Sequence, residues 1–152
     1  MARDSRHSGN VVLLRGAALW MVLTLILAWF LVLLKADVAF AKLIFKDFDR
    51  LLQGHIDLLL MSALILGFYG AHVPFPWHVR WTMVIGALTN SAIFILQSVF
   101  PLLDAHNTVT EAGAPIMVFR LFSAISLIIT TYGFGMGAVL VFRSTFDEPA
   151  AS

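Results

Sequence analysis

The chain has 152 residues, of which 60% are hydrophobic and 12% charged, and its mean hydropathy is +0.90. Soluble domains are nearer to about 45–50% apolar and about 25% charged residues, so this composition indicates an integral membrane protein. The formal net charge of +1 argues against nucleic-acid binding, which needs a basic patch. The chain has no cysteine, which excludes disulfides, iron–sulfur clusters and thiolate nucleophiles.

Apolar stretches long enough to cross a bilayer occur four times along the chain. A span needs about 20 apolar residues to cross a hydrocarbon core of about 30 Å. We predict an all-α membrane bundle with spans from Val11 to Leu34, from His55 to Val73, from Trp81 to Leu103 and from Pro115 to Phe142. The first apolar run is too long for a cleaved signal peptide, so we expect it to remain as a span. Residues 1–10 and 143–152 are expected to be disordered tails around one transmembrane domain, 11–142.

The segment between the first two spans has a different pattern. Its apolar residues recur at spacings of three and four, while charged residues fill the opposite face, which predicts an amphipathic helix lying in the membrane interface. The apolar positions are Phe40, Leu43, Ile44, Phe48, Leu51 and Leu52. Asp37 is the expected N-cap. Such a helix suits either of two roles, sealing the edge of the bundle or admitting a substrate.

An even number of spans places both termini on one side of the membrane. Basic residues occur on both sides, with Arg3, Arg6, Arg15, Arg80 and Arg143 on the terminal side and Lys35, Lys42, Lys46 and Arg50 on the other. The small excess on the terminal side favours cytoplasmic termini by the positive-inside rule. We expect a bacterial inner-membrane protein with this orientation.

Polar side chains that carry a cost in lipid recur in one leaflet of the predicted bundle. An ionisable residue at membrane depth costs about 2.5–3.5 kcal/mol on insertion scales, so it generally has a partner or a function. Counting 1.5 Å per residue from the predicted span ends places His55 at the membrane edge, Asp57, Gln97 and Arg120 in the same leaflet, and Asn90 near the middle. Since Asp57 and Arg120 would each be costly alone, we predict that they form a buried ion pair. Such a pair has one of two roles: it joins the second span to the fourth, or it belongs to a functional site.

His55 lies about 200° from Asp57 around a helix and is therefore free of the predicted ion pair. A neutral imidazole in a membrane can bind a metal or haem iron, relay a proton, or hydrogen-bond a backbone carbonyl. No second histidine lies at the spacing of a conventional metal site, because His72 and His78 belong to the opposite loop and His106 to the polar loop before the last span. A single histidine facing an apolar space suits five-coordinate haem b, which needs one axial ligand.

Three short motifs carry a resemblance to a known family. Gly54-His55-Ile56-Asp57 opens the second span, Gly86-Ala87-Leu88-Thr89-Asn90 lies in the third, and Gly135-Met136-Gly137-Ala138 lies in the fourth, together with the run from Ile116 to Phe122. In these motifs, over about residues 51–141, the chain resembles the small four-span membrane isomerases that include styrene oxide isomerase and hydroxylaminobenzene mutase.

The resemblance implies a homotrimer in which His55 ligates haem b and the iron acts as a Lewis acid on the oxygen of a small apolar substrate. Two positions depart from the family. Met61 stands where the family has a substrate-placing asparagine, and Phe94 stands where it has a tyrosine. We therefore assign the orienting hydrogen bonds to Asn90 and Gln97.

Three functions follow from these observations. The first is an isomerase or mutase that rearranges an epoxide or an arylhydroxylamine from the lipid phase. The second is a non-catalytic haem-binding or quinone-binding membrane subunit that uses the same histidine. The third is a structural or transport subunit in which His55 is merely interfacial. Small residues in the last span, Gly133, Gly135, Gly137 and Ala138, suit either helix association between chains or tight packing within one bundle.

Overall fold

The computed structural model describes residues 10–104 and 113–146, which fold into α-helices joined by short connections. The helices are α1 Val11–Lys35, α2 Ala39–Ile44, α3 Phe48–Gly70, α4 Trp77–Val99 and α5 Ala114–Ser144, with a 3₁₀ turn at Pro101–Leu103. Helices α1, α3, α4 and α5 are long and apolar enough to cross a membrane. The predicted all-α membrane bundle of four spans, with a helix between the first and second, is confirmed.

The second span begins seven residues earlier than the sequence predicted. Asp47 has an extended backbone and its carboxylate accepts a hydrogen bond from the Arg50 backbone N–H, so it is the N-cap from which α3 starts at Phe48. The backbone N–H groups of Lys46 and Asp47 both donate to the carbonyl of Ser98. These bonds hold the chain extended just before α3, so His55 is not at the opening of its helix.

The predicted amphipathic helix is divided in two for the same reason. Its first part is α2, only six residues long, and its second part is the first turn and a half of α3. Asp37 is not its N-cap. It has φ of 63°, it pairs with Lys42, and Val38 caps α2 without a side-chain hydrogen bond.

The remaining boundaries differ by smaller amounts. Helix α4 starts one turn before the predicted Trp81 and ends at Val99, and Pro101 opens the 3₁₀ turn instead of closing the helix. Helix α5 continues to Ser144, so the last predicted tail begins inside it. Asn10, predicted to be disordered, is buried, because its carboxamide bonds the Val73 carbonyl and the Phe75 backbone N–H. The rest of both predicted tails, 1–9 and 147–152, lies outside the described residues.

Helices α1, α3 and α4 pack against one another around two apolar clusters. One cluster fills the end near the termini and includes Leu13, Ile65, Phe75 and Met83. The other fills the opposite end and includes Leu27, Leu31, Leu51 and Leu58. Because lipid tails are as apolar as these side chains, the clusters stabilise the bundle through van der Waals packing of the helices and not through exclusion of water.

Helix α5 packs mainly along α4 through small and hydroxyl-bearing residues. The Thr130 hydroxyl donates to the Gly86 carbonyl at 3.0 Å, and the Ser126 hydroxyl donates to the Thr89 hydroxyl at 2.9 Å. Gly86 is needed here, because an added Cβ would lie 2.9 Å from the Thr130 Cα atom. Small residues and interhelical hydrogen bonds are the usual means of helix association in lipid.

Candidate functional site

His55 and Asp57 lie about two turns or more from the start of α3, on opposite flanks of the helix. At 1.5 Å per residue from Phe48, His55 is roughly 10 Å and Asp57 roughly 13 Å along the helix. Leu58, which is fully buried, marks the inner face. With 100° between successive residues, His55 projects about 60° to one side of Leu58 and Asp57 about 100° to the other. The first flank faces α1 and the second faces α4.

The His55 imidazole is bonded to the backbone of α1. Its Nδ1 atom lies 3.1 Å from the carbonyl oxygen of Thr24. A carbonyl oxygen only accepts, so Nδ1 carries the proton in this contact, and neutral imidazole then has its lone pair on Nε2. Metal-bound histidines commonly have this arrangement, in which the second ring nitrogen donates to a carbonyl and fixes the ring.

The surroundings of His55 are apolar. Leu51 and Leu58, one turn to either side of it on α3, are fully buried. Leu25 and Trp29, which follow Thr24 on α1 by one and five residues, are exposed by 59% and 69%. His55 itself is half-buried and makes no other hydrogen bond within the described residues, which leaves Nε2 without a protein partner.

Asp57 is bound by two side chains of α4. Its Oδ2 atom accepts hydrogen bonds from Asn90 Nδ2 at 2.9 Å and from the Ser91 hydroxyl at 2.7 Å. Asn90 stands nine residues before the end of α4 and Asp57 nine residues after the start of α3, so both are roughly 13 Å from the same end of the bundle. The three residues form a polar cluster near the middle of the membrane, hereafter the Asp57 cluster.

The predicted ion pair between Asp57 and Arg120 is not formed in the described part of the chain. Arg120 is exposed on the first half of α5, and α5 packs on α4, which therefore stands between it and Asp57. The direction of Asp57 around its helix, opposite to His55, was predicted correctly, but the helix on that side is α4 and not α5. The carboxylate is held by neutral donors instead of a cation.

Asn90 and Gln97, the predicted orienting residues, lie away from His55 within one chain. Asn90 is held by Asp57 on the α4 flank of α3. Gln97 has its Oε1 atom buried without a hydrogen-bond partner. Hence neither side chain meets the His55 imidazole in the described residues of a single chain.

Two residues that matter to these sites were not anticipated. Ser91 supplies the shorter hydrogen bond to Asp57, and its position directly after Asn90 was the only sequence signal for it. Thr24 contributes a backbone carbonyl, which any residue type would provide, so no sequence signal could have identified it.

The donor set suits a single-ligand cofactor better than a bare metal ion. Among residues 10–104 and 113–146, no three His, Asp or Glu side chains come together as a metal site. Haem b requires one axial nitrogen and an apolar environment. His55 fits that requirement, because Nε2 has a free lone pair and its buried neighbours one turn away on α3, Leu51 and Leu58, are apolar.

Grooves mark the outer surface of the bundle, and His55 is not among the lining residues of the three described below. One, of about 770 Å³, lies between the end of α4 and the start of α5 and is lined by Leu96, Val99, Phe119 and Phe122 among others. A second, of about 490 Å³, adjoins α2. A third, of about 390 Å³, lies between α1 and α4 near the termini.

The chain matches no protein-family model, no curated protein and no solved structure. The support for any function therefore comes from the geometry of His55 and of the Asp57 cluster.

Proposed function

We propose that the chain is a membrane isomerase or mutase that binds haem b through His55 and rearranges a small apolar aromatic substrate. The substrate class is an epoxide, converted to an aldehyde, or an arylhydroxylamine, converted to an aminophenol. The observation that carries the proposal is the hydrogen bond from His55 Nδ1 to the Thr24 carbonyl, which leaves Nε2 free in an apolar setting. A bound haem would supply Lewis acidity toward the substrate oxygen.

The chain's own residues hold the cofactor and exclude water. Thr24 fixes the plane and the tautomer of the imidazole, so Nε2 keeps one direction. Exposed apolar residues close to Thr24 on α1, Leu25 and Trp29, give a lipid-facing site that an apolar substrate reaches from the membrane phase. Water is scarce there, which favours rearrangement over hydrolysis of the substrate.

The proposal includes a homotrimer with sites at the subunit interfaces. His55 and Asn90 lie on opposite flanks of α3, so Asn90 or Gln97 reaches the same substrate only if a neighbouring subunit supplies it. Association has a suitable surface on α5, where an added Cβ at Gly135 would meet nothing within 4 Å. Exposed glycine on a span allows the close approach of a second helix.

The absorption spectrum of the protein purified in mild detergent tests the cofactor. We expect a Soret band that is lost in His55→Ala and kept in His78→Ala. His78 is a matched control, because it is also half-buried and its Nδ1 atom also bonds one partner, the Tyr132 hydroxyl. A full Soret band in His55→Ala would exclude His55 as the axial ligand.

The turnover of candidate substrates tests the chemistry, and native mass spectrometry of the protein tests the assembly. Conversion of styrene oxide or phenylhydroxylamine without added reductant supports isomerisation, and we expect Asn90→Ala and Gln97→Ala to slow it. Undiminished turnover in both variants would refute their orienting role. A monomer with haem retained in native mass spectrometry would refute the interfacial site.

A non-catalytic haem-binding subunit is the second candidate, and one observation favours it. Asn90 already donates to Asp57, so in a single chain no free hydrogen-bonding side chain is directed at His55. In this case the haem changes redox state, and neither substrate is converted. A Soret band that shifts reversibly when the haem is reduced and reoxidised, together with no turnover, would identify this function.

A further inference from the structure

The groove between α1 and α4 has a positively charged end near the termini. It is lined almost wholly by apolar residues, Val12, Gly16, Leu19, Trp20, Trp81, Val84, Ile85 and Leu88, together with Arg15. Along α1 it extends from Val12 to Trp20, roughly two helical turns or 12 Å. Its shape is that of a channel open to lipid, with a guanidinium at the headgroup end.

The two helices that form this groove are parallel, and both begin at the charged end. Helix α1 starts at Val11 and α4 starts at Trp77. Gly16 allows the close approach, since an added Cβ there would lie 2.6 Å from the Val84 side chain. The indole N–H of Trp20 donates to the Val84 carbonyl at 3.0 Å and fixes the floor. Both helix N-termini carry partial positive charge, which adds to the field of Arg15.

A second arginine lies at this end, beside the groove but not among its lining residues. Arg80 is one turn before Val84 on α4, and its Nε atom is buried without a hydrogen-bond acceptor among the residues that the structure describes. A buried donor left unsatisfied costs about 1–3 kcal/mol, and more when it is charged. Neither Arg15 nor Arg80 forms an ion pair within the described residues. An anion at this position would supply the missing acceptor.

The chain itself offers no such anion among the residues that the structure describes. Their acidic side chains all lie at the far end of the bundle or in its middle, namely Asp37, Asp47, Asp49, Asp57 and Asp104. Basic pockets between spans bind the headgroups of acidic lipids, and tryptophans such as Trp81 and the exposed Trp77 mark the headgroup level.

We propose that this groove is a binding site for one anionic phospholipid. The phosphate lies at Arg15 and Arg80 at the start of α1 and α4, and an acyl chain runs down the groove over Trp20, Ile85 and Leu88. The site is separate from His55, which lies on α3 in the other half of the bundle and bonds α1.

Lipid titration of the full chain in mild detergent, read by native mass spectrometry, tests the site. The probes are phosphatidylglycerol, phosphatidylcholine with the same acyl chains, and inorganic phosphate. We expect phosphatidylglycerol to bind about tenfold more tightly than phosphatidylcholine, and phosphate alone to give no retained adduct. Equal affinity for the two lipids, or binding of phosphate alone, would overturn the proposal.

Three variants locate the bound lipid. Arg15→Gln should weaken phosphatidylglycerol about fivefold, the effect of one basic residue at an anionic surface, and Ile85→Trp should displace both lipids by filling the groove. Arg143→Gln is the matched control, since Arg143 is an exposed arginine at the same end but on α5. Because Arg15, Ile85 and Arg143 are exposed, all three variants should keep the helical content of the parent. If Arg143→Gln weakens binding as much as Arg15→Gln, the attraction is a diffuse surface effect and the site does not exist.

Discussion

Thr24 and His55 are joined by a contact of 3.1 Å between a backbone carbonyl oxygen and a ring nitrogen. The carbonyl belongs to the helical ladder of α1, so its position does not depend on the Thr24 side chain, whose hydroxyl instead donates to the Trp20 carbonyl. The orientation of the imidazole is therefore set by the packing of α1 on α3. A ligand on Nε2 would bind to a ring that is already held in place.

Chemical rescue gives a direct test of the role of His55. In His55→Gly the Soret band should disappear, and free imidazole should restore it by occupying the vacated position. His78→Gly should keep the band without imidazole. An undiminished Soret band in His55→Gly before imidazole is added would contradict the assignment.

The Asp57 cluster predicts energetic coupling between α3 and α4. Ser91→Ala and Asp57→Ala should each destabilise the protein, and their double-mutant cycle should give a coupling of about 1–2 kcal/mol, near the top of the range measured in membrane bundles. Unfolding by SDS in mixed micelles measures it.

Two further cycles serve as controls for that coupling. Ser123→Ala should be additive with Asp57→Ala, because the Ser123 hydroxyl donates only to the carbonyl of Phe119 on its own helix. Arg120→Gln should also be additive with Asp57→Ala, within about 0.5 kcal/mol. Strong coupling to Arg120 would mean that the ion pair forms in the membrane after all.

Glycines two residues apart in α5 should respond in opposite ways to alanine. An added Cβ at Gly133 would lie 2.7 Å from the Met83 backbone nitrogen, whereas one at Gly135 meets nothing within 4 Å. Gly133→Ala should therefore destabilise the bundle by about 1–3 kcal/mol through overpacking. Gly135→Ala should leave the single chain as stable or stabilise it by up to about 1 kcal/mol, the helix propensity gain. A weakened oligomer in Gly135→Ala would place Gly135 in a subunit interface.

The start of α3 is joined by an ion pair to Asp104, which follows the 3₁₀ turn after α4, and this pair should matter to stability. Arg50 Nε and one terminal guanidinium nitrogen lie 2.8 and 2.7 Å from Asp104 Oδ2, and the two side chains are only 20% and 8% exposed. Arg50→Gln should cost about 3 kcal/mol, because it removes the Arg50 guanidinium from a buried carboxylate. Lys42→Gln, which removes the exposed pair with Asp37, should cost less than about 1 kcal/mol. Thermal unfolding in detergent compares the two, and equal losses would contradict the burial argument.

The sequence predicted the number and approximate extent of the spans, because long apolar runs are a strong signal. It misplaced the start of α3, since Asp49, Arg50 and Gln53 lower the hydropathy of the first two turns. That shift of seven residues, roughly 10 Å, placed Asp57 near the membrane edge and Asn90 at the middle. With α3 beginning at Phe48, the two residues lie at one depth and can bond.

For the candidate site residues, the direction of each side chain around its helix was easier to predict than the residue that it bonds. Helical phase correctly separated His55 from Asp57, but phase within one helix does not say which neighbour lies on each side. The choice of Arg120 for Asp57 came from charge balance. The structure shows that two neutral donors, Asn90 and Ser91, occupy that flank.

The packing of α5 has a consequence for biosynthesis. Among the described residues its interhelical hydrogen bonds, from Ser126, Thr130 and Tyr132, all reach α4, and a Cβ added at Gly133 would meet the α4 backbone. The helices synthesised before it already contain the buried residues of both apolar clusters and the Asp57 cluster. During co-translational insertion the first three spans can therefore reach their final arrangement while α5 is still on the ribosome, and α5 docks afterwards on a finished face of α4.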